Sequence, residues 1–109
     1  MSESLHLSLE GFEGPLDLLL ELARSQKVDI ARISIVALVD QYLLVIEGAR
    51  RVRLELAADW LVMAAWLAFL KSRLLLPPEP GDEGPSAEDL AAHLAFQLER
   101  LQAMRDAAA

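Results

Sequence analysis

WLVMAAWLAFL, residues 60–70, carries no charge and no polar aliphatic side chain, and it is closed by Asp59 in front and by Lys71, Ser72 and Arg73 behind. Wound at ~3.6 residues per turn, such a run is apolar on every face, so a helix built from it must be covered on more than one side. It falls far short of the ~20 residues that cross a bilayer, so lipid is not the obvious cover. Projected at ~100° per residue, a helix from about Ala57 or Asp59 to Leu76 divides into three stripes. Trp60, Met63, Leu67, Leu70 and Leu74 are large and suit an intramolecular core. Leu61, Ala64, Ala65, Ala68 and Ser72 are mostly small and let another helix approach closely. Val62, Trp66, Phe69, Arg73 and Leu76 set an aromatic pair beside a cation. Two neighbouring helices can hide two of these stripes, and a large apolar stripe left over marks an interaction site.

Outward from that helix, the rest of the chain reads as its company. Leu5, Leu7 and Leu9 alternate with His6 and Ser8, a period of two that predicts a short extended segment. Pro15 is placed to open a first helix, where its missing N–H needs no partner, and Asp17 in the first turn suits the helix dipole. Leu16, Leu19, Leu20 and Ala23 make its buried stripe, widened by Leu18 and Leu22, with an end near Ser25 or Lys27. Ser34 is an N-cap for a second helix in which Ile35, Leu38, Val39, Tyr42, Leu43 and Ile46 recur at helical spacing up to a stop at Gly48. Within residues 50–56 charged and apolar residues alternate after Arg51, which reads equally as an extended connection or a helical start. Pro77 and Pro78 end the third helix. Residues 77–85, rich in Pro, Gly and acid, read as a solvated linker, and Ser86 caps a fourth helix whose face is Leu90, Leu94, Leu98 and Leu101, then Met104 or Arg105. The expected fold is all-α: a small bundle of about four helices with a short extended N-terminal segment. Its parts are a helical domain over 1–77, a linker over 78–85 and an amphipathic helix over 86–109.

Composition narrows the function. The 109 residues have room for one domain, and 54% are hydrophobic against a usual ~45–50%. Acidic residues outnumber basic ones 17 to 10, a formal charge of −7, which argues against nucleic acid as the main direct ligand. Arg50, Arg51 and Arg53, with Lys71 and Arg73 further on, form the one candidate cationic surface: a solvated loop and helix end, or a patch that touches an acidic partner or DNA once something else has positioned it. There is no cysteine, so disulfides and thiolate metal sites are excluded, and the N-terminus lacks the pattern of a signal peptide; a cytoplasmic location is the default. His6 and His93 have no metal-ligand spacing around them, no serine sits in a Gly-x-Ser-x-Gly context, and GFEG at residues 11–14 lacks the residues of a phosphate loop. Glu10, Glu13 and Asp17 are better placed as dipole partners than as catalytic acids. No enzyme, no metal and no cofactor is expected.

FEGPLDLLL at residues 12–20 and WLVMAAWLAFLKSRLLLP at residues 60–77, with Val28-Asp29-Ile30 and Asp40-Gln41-Tyr42-Leu43 between them, closely resemble the N-terminal domain of segregation and condensation protein A, the bacterial kleisin. Order and spacing match over about residues 7–77, and the two motifs together are far more specific than either alone. The resemblance implies a non-enzymatic bridging subunit acting in chromosome condensation and segregation. Its N-terminal helical domain would pack on the coiled-coil neck of one structural-maintenance-of-chromosomes (SMC) ATPase subunit, a C-terminal winged helix would hold the head of the other, and the region beginning at residue 86 would lead to segregation and condensation protein B. DNA would be a partner only indirectly, and a membrane not at all. The chain stops before any winged helix and is expected to be a piece of the whole. Stripe geometry puts the neck-binding surface at Leu61, Ala64, Ala65 and Ala68, helped by Tyr42 and Arg73. Two other classes stay open: a self-associating helical module, forming a homodimer through the same stripe, and a DNA-binding helical domain.

Overall fold

Pro15 occupies the first position of helix α1 (Pro15–Arg24), and the Leu18 N–H closes the first turn on the Gly14 carbonyl. In the computed structural model, which describes residues 9, 11–52, 55–77, 81 and 84–108, three further α-helices follow: α2 (Ile35–Arg51), α3 (Ala58–Leu75) and α4 (Ala87–Ala108). Among the described residues there is no strand. The alternating segment at Leu5 and Leu7 lies outside the described residues. Leu9 is helical and buried, its carbonyl accepting the Phe12 N–H.

One core joins all four helices. Leu18, Leu19, Leu20 and Ala23 of α1 meet Leu38, Val39, Tyr42, Ile46 and Ala49 of α2, Trp60, Leu67 and Leu70 of α3, and Leu94 and Leu98 of α4. Each Leu buried this completely contributes roughly 1.5–3 kcal/mol relative to exposure. The most extensive pairing is α2 against α3, while α4 lies against α1, α3 and the loop between α1 and α2. The helix after the linker is therefore part of the same packed body as the three before it, although residues 78–80 and 82–83 of that linker lie outside the described residues.

That loop is organised by one side chain. Lys27 takes a left-handed conformation (φ 59°) that ends α1, and a single 3-10 turn, Ile30–Arg32, inserts Ile30 and Ile33 into the core. The Gln26 amide then closes the loop: its Nε2 donates to the Ser34 carbonyl (3.1 Å) and its Oε1 accepts the Ser34 N–H (2.9 Å). The clip follows no local sequence rule, because it depends on residues eight apart meeting across the loop.

The caps are as expected. Ser34 Oγ accepts the Ala37 N–H (3.1 Å) at the start of α2, and Ser86 Oγ accepts the Asp89 N–H (3.0 Å) at the start of α4. Helix α3 starts without a side-chain cap, and its first-turn acid Asp59 accepts the Trp60 N–H (3.0 Å). Gly48 does not stop α2, contrary to expectation: the helix runs on to Arg51. Packing outweighs the roughly 1 kcal/mol cost of an interior glycine, because the added turn carries Ala49 to complete burial against the core. Arg50 and Arg51 thus belong to the end of α2, where positive charge meets the helix dipole and Arg51 also pairs with Glu47 (3.6 Å). Arg53 lies outside the described residues.

The C-terminal half of α4 is tied down by an ion pair between Arg105 and Asp17, whose other oxygen accepts the Glu13 N–H (3.0 Å). Burial alone would raise the Asp17 pKa, but the hydrogen bonds from Arg105 and Glu13 and the arginine's charge outweigh it, and the carboxyl sits below its ordinary value. A lowered carboxyl pKa adds stability above the unfolded value of about 3.9 that is lost as pH falls through that region to the folded value. Urea unfolding midpoints should therefore show wild type above Asp17→Asn at pH 7, with the gap closing as pH is taken below about 4. A gap that does not narrow as pH falls below about 4 would mean that the carboxylate charge is not what holds α4.

Candidate partner-docking surface

The sequence of α3 leaves no polar face to turn toward water, and the bundle covers only part of it. Trp60, Leu67 and Leu70 are buried, and Met63 and Leu74 are half-buried beside them, as the large-residue stripe predicts. Lys71 anchors one flank, its Nζ 2.5 Å from Asp40 Oδ1 of α2. On the other flank Trp66 is half-buried and borders an open groove of about 950 Å³ between α3, the start of α1 and the C-terminal half of α4.

Between those flanks an apolar arc stays open. Leu61 is 45% exposed, Val62 67%, Phe69 50%, and Leu75 and Leu76 63% each, with Ala65, Ala68 and Ser72 exposed among them. At ~100° per residue these positions span about 140° of the helix, and from 61 to 76 about 22 Å of its length. Within this arc run Leu61, Ala65, Ala68, Ser72 and Leu75, a spacing of four, three, four and three. That is the spacing with which one helix presents a seam to another in knobs-into-holes packing. Small side chains on such a seam let the partner axis come near the low end of the usual ~8–10 Å.

The expected site residues fall into three groups. Leu61, Ala65 and Ala68 lie on the exposed seam. Ala64 is half-buried against the core at the α2 edge, and Arg73 is half-buried at the opposite edge, its guanidinium 5.6 Å from the centre of the Phe69 ring. Tyr42 is a correction: its side chain is wholly buried, so it presents nothing to a partner. Its hydroxyl donates to the Trp60 carbonyl (2.9 Å) and its ring stacks on Trp60 with centroids 6.4 Å apart. Burial, and secondarily the charge of Asp59, pushes the phenol far above its ordinary pKa and keeps it a neutral donor. Val62, Phe69 and Leu75 enlarge the surface beyond the expected residues. The signal for Val62 and Phe69 was present, since the stripe of small residues and the aromatic stripe adjoin on the helix, opposite the large-residue stripe.

No group of three metal-ligating side chains occurs among the described residues, and His93 is an exposed residue on the groove. None of the described helices is long and apolar enough to cross a membrane.

Residues 22–108 match the family model for segregation and condensation protein ScpA. The chain belongs to that family. Among its relatives, segregation and condensation protein A of Xylella fastidiosa (strain 9a5c) is 43% identical over 106 residues, covering 97% of this chain and 35% of the relative. The protein of the same name from Coxiella burnetii is 44% identical over 106 residues, 97% of this chain and 40% of the relative. That of Lactiplantibacillus plantarum is 49% identical over 84 residues, 76% of this chain and 33% of the relative. The chain thus spans between a third and two-fifths of the length of these relatives.

Proposed function

We propose that this chain is the neck-docking part of a non-enzymatic bridging subunit in a bacterial SMC–kleisin complex, acting in chromosome condensation and segregation in the cytoplasm. The observation that carries the reading is the seam Leu61, Ala65, Ala68, Ser72 and Leu75, apolar but for one serine and left uncovered by the bundle. A coiled coil is the partner whose own repeat matches it. Membership in the ScpA family supports the same reading. Further along, the region beginning at residue 86 leads to segregation and condensation protein B in this proposal, and DNA is met only through the partners. A direct DNA-binding role has little to rest on, since Arg51 is engaged with Glu47 and the chain as a whole carries −7.

A second reading keeps the seam and changes the partner: two copies of this chain pair through α3. The strip is small for either partner. About 22 Å of one helix, over an arc of roughly 140°, offers on the order of 300 Å², against the ~800 Å² per partner of a stable interface, and this holds for the neck as for a second copy, so area does not separate the two readings. Titrating the chain with an isolated SMC neck coiled coil, followed by fluorescence anisotropy and by sedimentation of the chain alone, separates the two. Saturable 1:1 binding to the neck by a chain that sediments as a monomer is the expected result. A stable dimer that ignores the neck would replace the first reading with the second.

A further inference from the structure

Arg73 stands where the exposed face of α3 meets the entry to α4. Its guanidinium lies 5.6 Å from the centre of the Phe69 ring, and its Nη2 donates to the Pro85 carbonyl across 3.4 Å. Phe69 is half exposed and flanks the seam immediately after Ala68. Pro85 precedes Ser86, on which the first turn of α4 rests: Ser86 Oγ accepts the Asp89 N–H and its carbonyl accepts the Leu90 N–H, each at 3.0 Å. One side chain therefore touches both the outward surface of α3 and the chain that caps α4.

We infer that Arg73 couples occupancy of the α3 seam to order at the start of α4. The inference rests on the docking reading above. A cation over an aromatic ring is held weakly in water and more firmly once both are desolvated. A helix laid along the seam covers the open face of Phe69 and removes water from the pair. The guanidinium is then fixed over the ring, and the long bond to Pro85, which competes with solvent in the free chain, is held with it. Ordering the start of α4 must in turn favour docking by the same factor, since coupling of this kind is reciprocal. Arg73 is in this sense a positioning residue: it acts through Phe69 and Pro85, with no contact to the partner required.

Hydrogen exchange at the Asp89 and Leu90 amides, measured with and without a saturating SMC neck coiled coil, reads the coupling directly. Exchange should slow about fivefold on binding, the factor that a desolvated cation–π pair gains over an exposed one. Phe69→Leu keeps an apolar side chain on the seam and removes the ring; it should bind the neck more weakly, by about the coupling factor, and once saturated with neck should show no slowing at those two amides. Arg73→Gln should behave likewise. Unchanged exchange in wild type with the neck demonstrably bound overturns the coupling and leaves the docking reading in place, and so does equal slowing in Phe69→Leu. Failure of wild type to bind the neck, seen as no protection anywhere along α3, overturns both.

Discussion

A chain carrying Ala65→Glu and Ala68→Glu together is expected to bind an SMC neck coiled coil about a hundredfold more weakly than wild type, the size of loss that follows from burying unpaired charge in an interface. Both alanines are exposed in the free chain, so neither glutamate has to be buried to fold the bundle. Glutamate is a good helix former, and the two like charges three residues apart cost only a few tenths of a kcal/mol. Circular dichroism and the unfolding midpoint should therefore stay within about 0.5 kcal/mol of wild type, as for most surface changes. Two effects combine in the complex. The longer side chains hold the partner helix away from a seam built for close approach, and the carboxylates lose water without gaining a partner. Because the double change also adds two negative charges to a chain that already carries −7, the proper control is Ala92→Glu with Ala103→Glu, which adds the same charge on the exposed side of α4. That control should bind as wild type does. Undiminished capture by a folded Ala65/Ala68 double variant would move the docking face off this seam altogether.

Local chemistry made much of the fold legible before any coordinates. Pro15, Ser34, Ser86 and Pro77 mark helix ends because the backbone groups they satisfy or remove lie within a few residues of them. The inward stripe of α3 was equally clear, since bulk and helical phase coincide in Trp60, Leu67 and Leu70. What escaped is tertiary. Gly48 is a stop signal only where nothing rewards another turn, and Ala49 is drawn into the core. The Gln26 clip and the Ile30–Arg32 turn need partners that the local sequence does not name. Tyr42 is the instructive case, because its helical phase groups it with Leu38, Val39 and Ile46 on the buried side of α2, and that phase is what holds. The surface role expected of it does not hold, because its hydroxyl is satisfied inside by a carbonyl of α3. On the docking surface, the three stripes of α3 were legible singly. Which two share the open arc depends on where α2 and α4 settle, and one helix cannot specify that.

That division of α3 into an inner and an outer face is open to a comparison within one helix. Leu67 is wholly buried and Val62, five residues earlier, is 67% exposed. Leu67→Ala should cost about 3 kcal/mol, within the range of buried leucine truncations that leave a cavity, and lower the melting temperature by roughly 10–20 °C for a domain of this size. Val62→Ala should cost less than about 0.5 kcal/mol, because its methyl groups are already largely hydrated in the free chain. Binding should invert the order. Val62 stands on the open arc, so its truncation removes apolar area that a docked helix would cover, and neck affinity should fall severalfold. Leu67 does not reach that arc, and the folded fraction of Leu67→Ala should bind the neck as wild type does. Equal destabilisation by the two truncations would mean that α3 is enclosed on all sides. A neck affinity that tracks stability rather than exposure would mean that the partner recognises the intact bundle at some other face.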